Sequence, residues 1–162
     1  MPINFENPAL MYASAQQEES MPHIKELNGY TFEELQIGMS AVYSRTITDT
    51  DLRNFSGVTG DTNPMHLNEE YAKTTFFKGC IVHGILTASL LSTVVGTKLP
   101  GPGCIYVSQT LFFKAPVHVG ETVYAKVTVK ELQPEKRRAV LQTQCLVKDT
   151  VVLDGEAVVQ LP

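Results

Sequence analysis

The chain has 162 residues and a net charge of −4, a length that favours one domain or one domain plus a tail. Hydrophobic residues make up 43% and charged residues 19%, enough for a core and too apolar for a chain disordered throughout. Lys and Arg are scattered. The one basic cluster, Lys136-Arg137-Arg138, is flanked by Glu131 and Glu135 and reads as a solvated turn that can touch a ligand phosphate, not as a nucleic-acid surface. The three cysteines, Cys80, Cys104 and Cys145, form no CxxC pair and predict reduced thiols in a cytoplasmic protein. No basic start followed by an apolar run marks a secretory signal. The apolar stretch 80–95, interrupted by His83, Thr87, Ser89, Ser92 and Thr93, is too short and mixed to cross a membrane.

In chain order, residues 1–28 show no sustained period and are broken by Pro2, Pro8 and Pro22. They read as an N-terminal extension, disordered or interface-forming, ahead of a domain over 29–162. Tyr30 to Leu35 resembles a helical turn, and Ala41 to Ile47 has strand composition. Thr48 can cap a helix with Asp51 at its N3 position. Leu52, Phe55 and Val58 recur at helical spacing, with a stop near Gly57 or Gly60. Asp61 then falls in a loop stiffened by Pro64, and Asn68 caps another short helix. His66 lies between the two helices, in a loop held by rigid elements. A nearly uncharged helix is predicted from Gly84 to Val95, apolar on more than one face and so buried all round. Gly96 marks its end, and Leu99 to Gly103 forms a turn.

The second half changes period. Cys104 to Phe113 is rich in strand formers, and Pro116 and Gly120 bracket a bend. From Thr122 alternation is strict: Val123, Ala125, Val127 and Val129 face one way; then Ala139, Leu141, Thr143, Cys145 and Val147; then Leu153, Gly155, Ala157, Val159 and Leu161. Period two over three consecutive segments predicts an antiparallel meander with one buried face, turning at 133–136 and 148–150. The class is α+β. One helix is little cover for such a sheet, so a second copy, in a homodimer or a dimer-based higher oligomer, is expected to complete the burial.

The candidate chemistry sits at Asp61 and His66. Alone this pair is a weak signal, because many loop aspartates cap turns and many histidines are simply half-exposed. Gly84 strengthens it. A glycine at a helix start lets a ligand approach free N–H groups and a partial positive charge, which suits a thioester oxygen gaining negative charge. His83 is read either as a packed, hydrogen-bonded residue or as the shaper of that turn. His23 and His118 have no supporting context. Asp61, His66 and His83 match no zinc or iron spacing, so no metal is expected. Cys80 reads as a buried, inert thiol, and Ser89 and Ser92 lack a nucleophile elbow.

The run Asp61-Thr62-Asn63-Pro64-Met65-His66, followed by Ile81-Val82-His83-Gly84, resembles the hydratase-2 motif of the MaoC-like family. Ala88 to Ser92, Gly103 to Val117 and Gly155 to Val159 fit it too, and the resemblance covers about residues 30–162. It is closest to short (R)-specific enoyl-CoA hydratases. It implies a hot-dog fold, with an antiparallel sheet wrapped around a central helix, and a homodimer. It also implies that Asp61 and His66 activate the water added to a trans-2-enoyl thioester, giving the (R)-3-hydroxyacyl product. The Gly84 N–H would bind the thioester carbonyl, with Asn63 and Ser92 in support. No cofactor is implied, since CoA or a carrier-protein phosphopantetheine is part of the substrate. The same resemblance leaves open dehydration of (R)-3-hydroxyacyl groups on acyl-carrier protein. Thioester hydrolysis and noncatalytic acyl binding are further alternatives.

Overall fold

The computed structural model of the protein describes residues 26–162. His23 and nearly all of the expected extension 1–28 lie outside the described residues. Gly29 and Tyr30 donate their N–H groups to Pro102 and Pro100 carbonyls, both at 2.8 Å, which ties the start of the described chain to the turn after the central helix. A 3-10 turn, Phe32–Glu34, leads to β1 (Ser40–Thr46).

Helix α1 (Asp49–Thr59) starts as its sequence predicts. Thr48 accepts a hydrogen bond from the Asp51 N–H, and the Asp51 carboxylate accepts one from the Thr48 N–H at 2.9 Å, so two orphan donors of the first turn are satisfied reciprocally. The helix ends at Gly60 in the left-handed conformation, which glycine adopts without strain. The predicted apolar stripe is shorter than expected. Leu52 is buried, but Val58 is 87% exposed. A helix turns about 100° per residue, so each three-residue step falls about 60° short of a full circle and swings Val58 away from Leu52.

Two short helices follow, α2 (Pro64–Leu67) and α3 (Glu69–Thr74). Asn63 caps the first by accepting the Met65 N–H at 3.1 Å, and Asn68 caps the second by accepting the Tyr71 N–H at 3.0 Å. His66 therefore sits on a helical turn and not in a loop between helices. The Asn63-Pro64 pair, a cap followed by proline at the first helical position, explains why.

Helix α4 (Gly84–Thr97) is the centre of the fold. It continues through Gly96, where the sequence suggested a stop: the Lys98 N–H still donates to the Val94 carbonyl at 2.9 Å. The stop comes from Pro100, which cannot continue a helix and disfavours helical backbone at Leu99. Nor is α4 buried all round. Thr87, Leu90, Leu91, Val94 and Val95 face the sheet, while Ile85, Ser89, Ser92 and Gly96 form an exposed stripe.

The sheet comprises β1, β2 (Ile105–Gln109), β3 (Phe112–Phe113), β4 (Thr122–Gln133), β5 (Arg138–Val147) and β6 (Thr150–Gln160), all antiparallel. Their order is β1-β4-β5-β6-β2, with β3 pairing to β6. The stretch 104–113, rich in strand formers, is split between β2 and β3, because a register shift lies between Tyr106 and Ser108 and Thr110 leaves the strand to bond the Glu156 carbonyl at 2.9 Å. Every inward residue predicted for β4, β5 and β6 is buried. Their side chains and Leu90, Leu91, Val94 and Val95 of α4 make one core. An antiparallel sheet wrapped on a central helix is the hot-dog arrangement. Among the described residues no helix is long and apolar enough to cross a membrane.

Candidate active site

The site forms where the end of α1, the α2 turn and the start of α4 meet. The segment after α1 is fixed by its own polar groups. Thr59 Oγ1 donates to the Phe55 carbonyl at 2.7 Å and accepts the Asp61 N–H at 3.2 Å. The Asn63 N–H donates to Asp61 Oδ1 at 3.2 Å. Asp61 thus projects from a short, locally braced segment and stays exposed.

His66 is buried to 9% exposure. Its Nδ1 lies 2.7 Å from the Ile81 carbonyl oxygen. A carbonyl only accepts, so Nδ1 carries the proton and donates, which leaves a lone pair on Nε2 in the neutral ring. Ile81 is held in turn by its N–H to the Met65 carbonyl at 3.3 Å and by a bridge to His118. The imidazole is therefore locked to main chain on one side and free to exchange a proton on the other.

His83 packs against this ring, with centroids 3.8 Å apart and planes at 30°. Its Nε2 lies 3.1 Å from the Asp61 carbonyl and 3.3 Å from Ser56 Oγ. Burial, aided by the neighbouring His66, pushes its pKa down from 6.5, against an upward pull from Asp61. Gly84 follows directly. The first bond of α4 runs from the Thr87 N–H to the His83 carbonyl, so the N–H groups of Gly84, Ile85 and Leu86 precede it and have no acceptor within the helix. A Cβ at position 84 would lie 2.7 Å from the Phe113 ring, so only glycine fits with the ring where it is.

A cavity of about 330 Å³ opens beside these groups, lined by His66, Gly84 and Thr87 and by apolar side chains including Phe77, Ile81, Phe113 and Val117. A second, more polar cavity of about 400 Å³ also reaches His66 and is lined by Asp49, Arg53, Glu69, Cys80 and His118.

The structure thus brings Asp61, His66, His83 and Gly84 together and makes Asn63 their brace. Ser92 lies two turns along α4 on its exposed stripe, and among the described residues no hydrogen bond joins it to Asp61 or His66. Val94, Val95 and Leu99 belong to the core and do not line the apolar cavity. Cys80 is half-buried, not fully buried as the sequence suggested, but burial and the Glu69 carboxylate raise its pKa, so it is a poor nucleophile. Ile81 and Phe113 lie within the motif stretches, but their parts in the site were not legible there, because one acts through its main-chain carbonyl and the other reaches Gly84 from a distant strand.

One oxygen of Asp61 and one nitrogen each of His66 and His83 lie within 4.8 Å of one another. They are poorly disposed for one metal ion. Imidazole ligates through a lone pair in its ring plane, and the uncommitted nitrogen of His83, Nδ1, is buried. One nitrogen of each ring is also committed to a carbonyl.

Residues 33–151 match the MaoC like domain family. The chain belongs to the MaoC-like family. It is 52% identical over 131 residues to an (R)-specific enoyl-CoA hydratase of Rhodospirillum rubrum, covering 81% of this chain and 91% of that protein. It is 50% identical over 139 residues to a 3-hydroxybutyryl-CoA dehydratase of Methylorubrum extorquens, covering 86% of this chain and 88% of the relative. Among solved structures, this MaoC-like chain superposes on the (R)-hydratase from A. caviae involved in PHA biosynthesis with a TM-score of 0.78 and 41% identity, covering 80% of this chain and 99% of that one.

Proposed function

We infer that this MaoC-like protein is an (R)-specific enoyl-CoA hydratase, a hydro-lyase that reversibly adds water to trans-2-enoyl-CoA to give (R)-3-hydroxyacyl-CoA. The observation that carries the reading is the junction of Asp61 and a His66 whose Nδ1 is held by a carbonyl with the Gly84 N–H, which has no acceptor within its helix, where His66 and Gly84 line an apolar cavity. The cavity takes the apolar part of the substrate next to the thioester. The Gly84 N–H polarises the thioester carbonyl and makes C3 electrophilic. Water held by Asp61 gives a proton to His66 Nε2 as its oxygen attacks C3. The imidazolium then returns a proton to C2 as the enolate collapses, and because both steps use one side of the substrate, addition is syn. No metal or redox cofactor takes part, and CoA enters as part of the substrate.

Homodimerisation is part of the proposal. The stripe Ile85, Ser89, Ser92 and Gly96 is uncovered on the central helix, and Phe112 and Phe113, at 63% and 54% exposure, flank the β2 edge of the sheet. An open strand edge beside apolar surface favours pairing with a second copy. Three free thiols fit a cytoplasmic setting.

Purified protein is expected to hydrate crotonyl-CoA without added metal and to yield the (R)-alcohol on chiral analysis. An (S) product, or release of free CoA in place of hydration, would overturn the reading. Parallel assays on CoA and carrier-protein thioesters separate hydration in acyl-CoA metabolism from dehydration in fatty acid synthesis.

A further inference from the structure

We propose that His83 is the positioning residue of the site: its Nε2–H holds Asp61, and its ring face holds His66, in one arrangement. The inference rests on the hydratase reading above and assigns His83 a task that touches neither water nor thioester.

His83 is 2% exposed and contacts every part of the machinery. Nε2 meets the Asp61 carbonyl at 3.1 Å, which requires the proton to be on Nε2. The same nitrogen lies 3.3 Å from Ser56 Oγ on α1. One ring face covers His66, and Phe55 of α1 tilts against it with centroids 5.0 Å apart. The main chain of His83 accepts the first helical bond of α4 and delivers Gly84 as the next residue. One side chain therefore sets the spacing between the acid, the imidazole and the N–H donor.

The decisive detail is Nδ1. It is buried and, among the described residues, has no hydrogen-bond partner. Buried acceptors are normally paired, and an unpaired one opposes folding. Phenylalanine would fill the same space and stack on His66 without that penalty. What imidazole offers here and phenylalanine does not is the Nε2–H, which reaches the Asp61 carbonyl and lies beside Ser56 Oγ.

The test compares His83→Phe, His83→Gln and His83→Asn in the full chain. Glutamine can place an amide N–H where Nε2 lies, whereas asparagine reaches only the Nδ1 position. His83→Phe is expected to fold with a Tm near that of the parent, the loss of the Nε2 contacts offset by the relief at Nδ1. In His83→Phe and His83→Asn, kcat should fall about ten- to a hundred-fold with KM within about threefold, while His83→Gln recovers most of the loss. Hydrogen exchange supplies a readout that does not depend on turnover, since the 60–64 backbone should exchange faster in the Phe and Asn variants and not in the Gln variant. A parent protein without hydratase activity sinks the functional reading, and exchange still judges the anchor. Parental kcat in a folded His83→Phe protein, or unchanged exchange at 60–64, sinks the proposal for His83.

Discussion

The Gly84 N–H can be deleted with little disturbance to the helix it begins. Proline at position 84 has no N–H and would occupy the first position of α4, where proline is well tolerated. The residue before a proline must be extended, and His83 already has φ −56° and ψ 127°. No helical bond is lost, because the first one joins Thr87 to His83. Replacing glycine by proline where the backbone already fits adds about 0.4–1 kcal/mol of stability through the unfolded chain. The obstacle is the Phe113 ring, which lies 2.7 Å from a Cβ at this position. The comparison therefore runs between Phe113→Ala and Gly84→Pro/Phe113→Ala. Loss of one preorganised oxyanion donor costs about 2.7–4 kcal/mol, or roughly 10²–10³ in kcat. The assay follows the ultraviolet absorbance of crotonyl-CoA as its double bond is hydrated, with circular dichroism and Tm as folding controls. If the folded double variant stays within about threefold of Phe113→Ala, the helix entrance does not stabilise the transition state.

Asp61→Asn keeps an Oδ1 acceptor for the Asn63 N–H, now 3.2 Å away, and removes only the charge. It should lower kcat by about 10²–10⁴ with Tm nearly unchanged, and a smaller loss would mean that the Asp61 charge does not hold the attacking water. His83 also predicts a stability profile. Its folded pKa lies below 6.5 because it is buried, so as pH falls through that value the unfolded chain takes up the proton first and stability is lost until the folded value is passed. Urea denaturation across that range should show the slope in the parent protein. In His83→Phe the part of that slope due to His83 should vanish. Burial pushes the Cys145 thiol up to about 12, so alkylation of the native protein at mildly alkaline pH, mapped by mass spectrometry, should leave Cys145 unmodified until the chain is unfolded.

Local and periodic features were legible in the chain. The Thr48–Asp51 cap is a reciprocal contact between near neighbours, and its residue types announce it. The inward faces of β4, β5 and β6 follow from alternation alone, which a half-buried strand imposes directly. What sequence could not supply were partners from afar. Nothing in the spelling of position 81 tells that its carbonyl will anchor His66, because every residue carries a carbonyl. The uniform apolarity of α4 likewise hid its exposed stripe. When nearly all positions are apolar or small, composition loses the contrast that reveals orientation. The α2 turn was readable in principle, since Asn63-Pro64 is a cap followed by proline, but its brevity made it look like a loop.

Ile81 does two separate things. Its carbonyl fixes the His66 imidazole, while its side chain lines the cavity beside it. The main-chain oxygen is the same whatever side chain stands there. A larger or smaller apolar residue at this position would therefore reshape the space offered to substrate while the imidazole kept its anchor. At this residue the shape of the cavity and the orientation of His66 are held by different atoms, and one can be tuned without loosening the other.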